Sequence, residues 1–213
     1  MPVPEHPKIY HITHVNNLES IVKAGCLWSN SVMSQCRDVV NIGLEEIKQH
    51  RLTLSVPCYP GSFVGEYVPF LFYPRSVMLF MIHCGNYSKL TYRGGQKPVI
   101  HLEADLDEAI RWAEETRRKW TFSLSNASLC IAEFRNERSQ LDEINWSAVK
   151  AKYWKNEEIK KEKQAEFLVQ ESFPWHLVKR IGTYSQELAQ HVRGIIRKNH
   201  HCPEVKILRE WYY

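Results

Sequence analysis

Sixteen residues from Val68 to His83, VPFLFYPRSVMLFMIH, carry one formal charge, Arg75, and must therefore be buried. The run is shorter than the ~20 apolar residues that a membrane-spanning helix needs. Pro74 stands in its middle, where it removes a backbone donor and fixes φ. The expectation is two buried strands interrupted at Pro74. A chain with this segment folds around it, and the weaker patterns on either side supply the layers that cover it.

Those flanking patterns alternate between the two periods. Lys8–Thr13 (KIYHIT) is rich in β-formers and predicts a short strand. Asn16 and Asn17 offer an N-cap, Leu18, Ile21 and Val22 follow at helical spacing, and Gly25 stops the helix. Trp28–Val40 reads as loop, Leu44–Arg51 as a short helix, and Leu54–Gly65 as irregular. Val99–Leu102 predicts a strand and Asp105–Lys119 an amphipathic helix with Leu106, Ile110 and Ala113 on one face. Phe122–Ala127 reads as a strand end and loop, and Asp142–Lys163 as a charged, mobile helix or loop. Gln164–Phe173 predicts a strand, VKRIG after Pro174-Trp175 a helix-like piece, Ser185–Lys198 a helix and Val205–Leu208 a last strand. The sum is a single α+β domain over residues 1–213 with a split antiparallel sheet.

Composition narrows the partners. With 213 residues and 44% hydrophobic content the chain is long enough for a core, and a net charge of +4 leans toward a phosphate-bearing ligand. The six cysteines form no CxxC pair, which argues against zinc, and a chain this long needs no disulfide framework. Reduced thiols in a cytoplasmic protein are expected. The N-terminus has no apolar h-region and no run reaches membrane length, so no membrane partner is expected. There is no P-loop, no GxGxxG and no GxSxG elbow. His200-His201-Cys202 reads as loop rather than a metal site, and no metal is expected.

Four places carry possible chemistry. His11, on a strand beside Thr13, suits hydrogen bonding to a ribose hydroxyl, though in isolation a satisfied core histidine is the plainer reading. Arg51 ends a short helix before an irregular loop, where its fixed donors suit a diphosphate; Lys48 and Gln49 read as solvated helix face. Tyr73, Arg75 and Ser76 stand in an otherwise apolar run and are placed to floor a pocket for a flat ring. Glu166 is a carboxylate among apolar strand residues, which is costly without a partner or a task. Before it, Lys150–Lys163 mixes Tyr153 and Trp154 with Lys155 and other cations, a combination suited to single-stranded nucleic acid; its glutamates leave an ordinary exposed helix as the alternative.

The ordered blocks Y-H-I-T-H, I-K-x-x-R, G-x-Y-V-P-F-x-F-x-P-R-S-x-M-L and Q-A-E-F-L-V, spread from about residue 9 to residue 181, resemble the DarT family, the toxin half of a DarT–DarG toxin–antitoxin pair. The resemblance implies an ADP-ribosyltransferase fold of the PARP type with an NAD cleft in the split sheet. It implies NAD as co-substrate, single-stranded DNA as acceptor and a DarG-type macrodomain antitoxin as partner, for a protein expected to be a monomer. Glu166 and Arg51 match the catalytic pair. His11, Ile12 and Thr13 match the NAD-binding strand. Asn126, Arg75, Met78, Tyr153, Trp154 and Lys155 fall in blocks that face DNA. Two departures stand out. Related transferases have a Tyr where Leu71 sits, so ring stacking is expected to pass to Tyr73 or Phe72, or to be absent. Thymine-modifying members carry T-D-x-H-A where this chain has Phe122–Ala127, with Asn126 in the His slot, which makes guanine the expected acceptor base and thymine the next. The other readings are transfer to RNA or protein, a 2′-phosphotransferase, and a non-catalytic single-strand-binding module.

Overall fold

A computed structural model describes residues 1–34 and 39–213; Cys36 and part of the expected 28–40 loop lie outside the described residues. In chain order the elements are β1 (Lys8–His14), α1 (Leu18–Ala24), β2 (Cys26–Trp28), α2 (Asn30–Met33), α3 (Glu45–Arg51), β3 (Tyr67–Leu71), α4 (Val77–Cys84), β4 (Val99–Asp105) and α5 (Leu106–Glu115). Then come β5 (Trp120–Asn126), β6 (Phe134–Arg135), α6 (Trp146–Lys150), α7 (Glu157–Glu162), β7 (Ala165–Gln170), β8 (Ser172–Pro174), β9 (Val178–Thr183), α8 (Gln186–Ile196) and β10 (Glu204–Ile207).

Eight strands form one sheet in the order β10-β9-β4-β1-β3-β7-β5-β6, and β2 pairs with β8 in a small second sheet. All pairs are antiparallel except β9 with β10. The sheet is split at its centre. β1 pairs with β4 along seven residues, but with β3 only at Tyr10 and Leu71. The apolar side chains around the sheet fall into separate clusters, one of which spans that seam. Ile9, Leu102, Phe122 and Phe167 belong to one core cluster, and Ile12, Leu79, Ile82 and Tyr212 to another.

Local chemistry accounts for most boundaries. Gly25, at φ 72, closes α1 in the left-handed region that glycine enters without cost. Asp105 caps α5 by accepting the Glu108 N–H at 3.0 Å, and Ser185 caps α8 through Leu188.

Three expectations are corrected. The second half of the apolar run, Val77–Cys84, is a helix, capped by Ser76 accepting the Leu79 N–H at 3.1 Å and closed by Gly85. It shows no helical stripe because one side, Val77, Leu79 and Ile82, is buried, while Met78 and Met81 line a cleft. Val178–Thr183 is a strand rather than a helix, ordered by pairing with β4. The 142–163 stretch is tied to the core rather than free, because Trp146 is fully buried and its indole N–H donates to the Leu141 carbonyl at 2.8 Å.

Candidate active site

Where β1 and β3 part, a cleft of about 300 Å³ opens. It is walled by His11, Ile12 and Thr13 of β1, Leu71 of β3, Met78 of α4 and Arg51 of α3. Asn126 at the end of β5 and Glu166 on β7 close it. Every residue in this group was singled out by the sequence, and the seam of the sheet brings them together.

Glu166 sits directly opposite Leu71 in the β3–β7 ladder, and its N–H donates to Ser123 Oγ at 3.1 Å. Arg51 grips its carboxylate at two points, Nη1 to Oε1 at 3.1 Å and Nη2 to Oε2 at 2.8 Å. The side chains are only 12% and 9% exposed, so this fork is what compensates the burial of both charges. The position at the end of α3 also favours a cation, because the last carbonyls of the helix point toward it.

His11 donates from Nδ1 to the Pro69 carbonyl at 2.9 Å, since a carbonyl can only accept. Burial holds its pKa below the usual 6.5; the Pro69 carbonyl opposes that shift and the Lys48 charge adds to it. The neutral ring therefore carries a bare Nε2, an acceptor for a hydroxyl. Beside it, Asn17 donates from Nδ2 to Thr13 Oγ1 at 3.0 Å and to the Val40 carbonyl at 2.9 Å, and its Oδ1 accepts the Val40 N–H at 2.9 Å. These bonds lash β1 to the 39–44 wall of the cleft.

Asn17 and Lys48 were missed as cleft residues. Asn17 looked like a helix cap, but its side chain makes no cap hydrogen bond. Lys48 looked like solvated helix face, yet it lines the cleft, and burial lowers its pKa against the opposing pull of Glu45. No spacing signal marks either one. Gln49 does stay exposed, bonded to Glu45.

Asn126 is held at both ends of its amide. Oδ1 accepts the Ser128 N–H at 2.9 Å, and Nδ2 donates to Gln164 Oε1 at 3.2 Å. One N–H and one lone pair remain.

The other expected residues lie elsewhere. Tyr73 does not stack in the cleft. β3 ends at Leu71, the chain turns, and Tyr73 and Arg75 line a second cavity with Tyr10 and Trp211. Phe72, the other stand-in, is buried against Trp146. Tyr153 is 91% exposed and Lys155 is exposed, while Trp154 packs edge-on against Phe80 of α4 at 5.0 Å between ring centres. Among the described residues no group of three His, Cys, Asp or Glu is placed to hold a metal. His201 is engaged with the Val178 carbonyl at 2.7 Å. No helix among them is long and apolar enough to cross a membrane.

Residues 10–213 match the family model described as "ssDNA thymidine ADP-ribosyltransferase, DarT". The chain belongs to the DarT family. Membership makes it a DNA ADP-ribosyltransferase. It is 36% identical to a DNA ADP-ribosyl transferase of Thermus aquaticus over 100% of this chain and 90% of that protein. In structure it is similar to Thermus sp. 2.9 DarT in complex with ADP-ribosylated ssDNA, with a TM-score of 0.90, 34% identity, and coverage of 100% of this chain and 99% of that one. The same protein in complex with NAD+ gives a TM-score of 0.84 at 33% identity, covering 99% of both chains. The split sheet expected from the sequence is thus the DarT architecture, with α4 in place of a second buried strand.

Proposed function

We propose that this DarT-family enzyme takes NAD into the cleft between β1 and β3 and transfers its ADP-ribose to a base of single-stranded DNA, releasing nicotinamide. The observation that carries the reading is the buried Arg51–Glu166 fork facing His11 across the seam of the sheet. His11 accepts a ribose hydroxyl at Nε2, while Ile12, Thr13 and Leu71 wall the cleft around the co-substrate. Arg51 turns its fixed donors toward the diphosphate and holds Glu166 in place.

The chemistry breaks the bond from ribose C1′ to the nicotinamide nitrogen and forms one from C1′ to a base nitrogen, which gives up its proton. Positive charge grows on the ribose as the first bond stretches. The Glu166 carboxylate is pre-placed to stabilise that charge, and it receives the proton from the base. A single strand presents its base without the cost of unstacking a duplex.

Asn126 contacts the base. With an N–H free, its amide donates to the carbonyl beside the attacking ring nitrogen, and thymine and guanine both offer such a carbonyl next to a ring N–H whose proton can pass to Glu166. Adenine and cytosine lack that pair. The family description names thymidine, so thymine is the first acceptor to test; guanine, favoured from the sequence, is the second. Met78, which lines the cleft, and Arg75, Tyr153, Trp154 and Lys155 outside it contact the strand. A DarG-type macrodomain partner removes the mark.

Incubating the protein with NAD and single-stranded oligonucleotides, each with only one of the four bases at a central position, tests this. The expected product is an oligonucleotide heavier by one ADP-ribose, absent with Glu166→Ala and stripped by a DarG-type macrodomain. NAD that remains unconsumed with every oligonucleotide would refute the assignment and favour a binding module. An adduct on RNA or protein but never on DNA would move the acceptor to those polymers.

A further inference from the structure

Among the described residues that line the cleft, only Lys48, Arg51 and Glu166 carry a formal charge. Arg51 and Glu166 neutralise each other through their fork, so Arg51 offers a ligand donors but no net charge. The charge left over belongs to Lys48. No ion pair among the described residues involves it. Lys48 is held by its main chain instead: its N–H donates to the Leu44 carbonyl at 3.1 Å, and its carbonyl accepts Asn30 Nδ2 at 3.0 Å.

The ammonium is half-hidden. The Lys48 stem crosses Gly43, where a Cβ would stand 3.6 Å from Cε. Burial lowers the Lys48 pKa, and the charge of Glu45, one turn earlier on α3, only partly opposes that. Glu45 is exposed and already serves Asn41 at 3.0 Å and Gln49 at 2.8 Å. Toward β1, the Lys48 charge adds to the lowering of the His11 pKa. A cation drawn from water without a partner is costly, and the cost is recovered when an anion arrives. NAD brings a diphosphate joined to the ribose whose hydroxyl His11 is placed to hold.

We infer that Lys48 is the counter-ion of the NAD diphosphate, supplying the net charge that the Arg51–Glu166 fork cannot. The inference rests on NAD being the co-substrate. One consequence separates this role from packing. A lysine whose pKa is held down in the free enzyme regains a higher value beside a dianion, so NAD binding at alkaline pH draws a proton from solution. Affinity is greatest below the lowered pKa and weakens as pH rises through it. The other cleft groups with shifted pKa values lie outside that window. His11 titrates below 6.5, burial pushes Tyr67 up to about 12, and burial with the Glu103 charge pushes Tyr10 higher still.

The test is calorimetric titration with NAD across pH 7 to 10, in buffers of different ionisation enthalpy, for the parent, Lys48→Met and Lys48→Arg. At pH 7, Lys48→Met should weaken NAD binding about twentyfold, and Lys48→Arg should restore most of the loss. KM for NAD should follow, while KM for the oligonucleotide stays constant. Added salt should weaken NAD binding more in the parent than in Lys48→Met. Proton uptake should grow in the parent on the alkaline side and vanish in both variants; the parent's uptake is read whether or not a variant folds well. Parent-like affinity in Lys48→Met, with ADP-ribose still transferred to DNA, would overturn the counter-ion and leave the co-substrate assignment intact. So would a loss that Lys48→Arg does not restore, with no proton uptake in the parent. A parent protein that binds no NAD at any pH would overturn both.

Discussion

Arg51 and Glu166 stand 115 positions apart in the chain and meet as a two-point fork inside the sheet, one from a helix end and one from a strand. The helix end and the strand are each anchored by their own contacts, so the fork depends on the fold rather than on either residue alone. Glu166→Gln keeps the size of the side chain and one hydrogen bond while deleting the charge. Transfer to DNA should fall roughly 10³-fold, with NAD affinity changed little. Single-turnover rates beside NAD titrations check this, and near-full activity would remove Glu166 from the chemistry.

The state of His11 sets a pH dependence for NAD. With its pKa below 6.5 the ring is neutral at pH 7 and offers Nε2 as an acceptor. Acidification through that lowered value puts a proton on Nε2 and removes the acceptor. NAD affinity should be flat above pH 7 and weaken as pH falls below 6.5, and the acid limb should vanish in His11→Asn. Calorimetric titration across that range reads it directly.

Removing Asn17 strands several groups at once. In Asn17→Ala the Val40 N–H and carbonyl and the Thr13 hydroxyl lose their partners, at a cost of about 2 kcal/mol. Because those bonds join β1 to the cleft wall, KM for NAD should rise with the loss of stability. Denaturant unfolding and initial rates measure the two effects. A variant destabilised with KM for NAD unmoved would make Asn17 purely structural.

His101 couples the fold to acid. It is fully buried, bonds the Pro74 carbonyl through Nε2 at 3.1 Å, and its pKa is pushed down to about 4 by burial, with the Pro74 carbonyl opposing. The unfolded chain protonates this residue near 6.5, so stability is intact above 6.5 and declines as pH falls from there toward 4. The span amounts to about 3 kcal/mol over the full window. His101→Gln retains a donor for Pro74 and does not titrate. Its unfolding free energy should fall less than the parent's between pH 7 and 4.5, and parallel curves would exclude the linkage.

Tyr213 is bound to the turn that carries Arg75. Its hydroxyl lies 3.2 Å from the carbonyls of both Arg75 and Ser76, and its ring contacts Phe80, which in turn meets Trp154. Tyr213→Phe should cost about 1 kcal/mol of stability. It should also raise KM for the oligonucleotide several-fold, while KM for NAD stays constant. Equal changes in both would mean that the turn does not orient the acceptor.

The parts legible in the sequence were those whose signals are local. β1, α1, α3, α5, α8 and β7 follow from period, caps and β-branched content, and the cleft residues on them followed in turn. The Val77–Cys84 helix was misread because its faces are apolar for different reasons, core on one side and cleft on the other, which erases the period. The Val178–Thr183 strand was misread because its order comes from β4, more than seventy positions away. Asn17 and Lys48 carry no chemistry that their neighbours would betray; only the closing of the chain over β1 gives them a cleft to face. Tyr73 was misplaced for the converse reason, since a turn of a few residues after Leu71 carried it to another cavity.

The seam between β1 and β3 has one more consequence. Two strands in the interior of a sheet share a single residue pair and leave main chain beside the cleft rather than beside a neighbouring strand. Amides and carbonyls of the backbone are common to almost every residue, so substitution of side chains cannot erase the recognition they provide. Only proline deletes a donor, as Pro69 already does within β3. The part of the cleft that this main chain presents is therefore expected to outlast drift in the side chains around it, whereas the parts presented by His11, Arg51 and Asn126 are open to change.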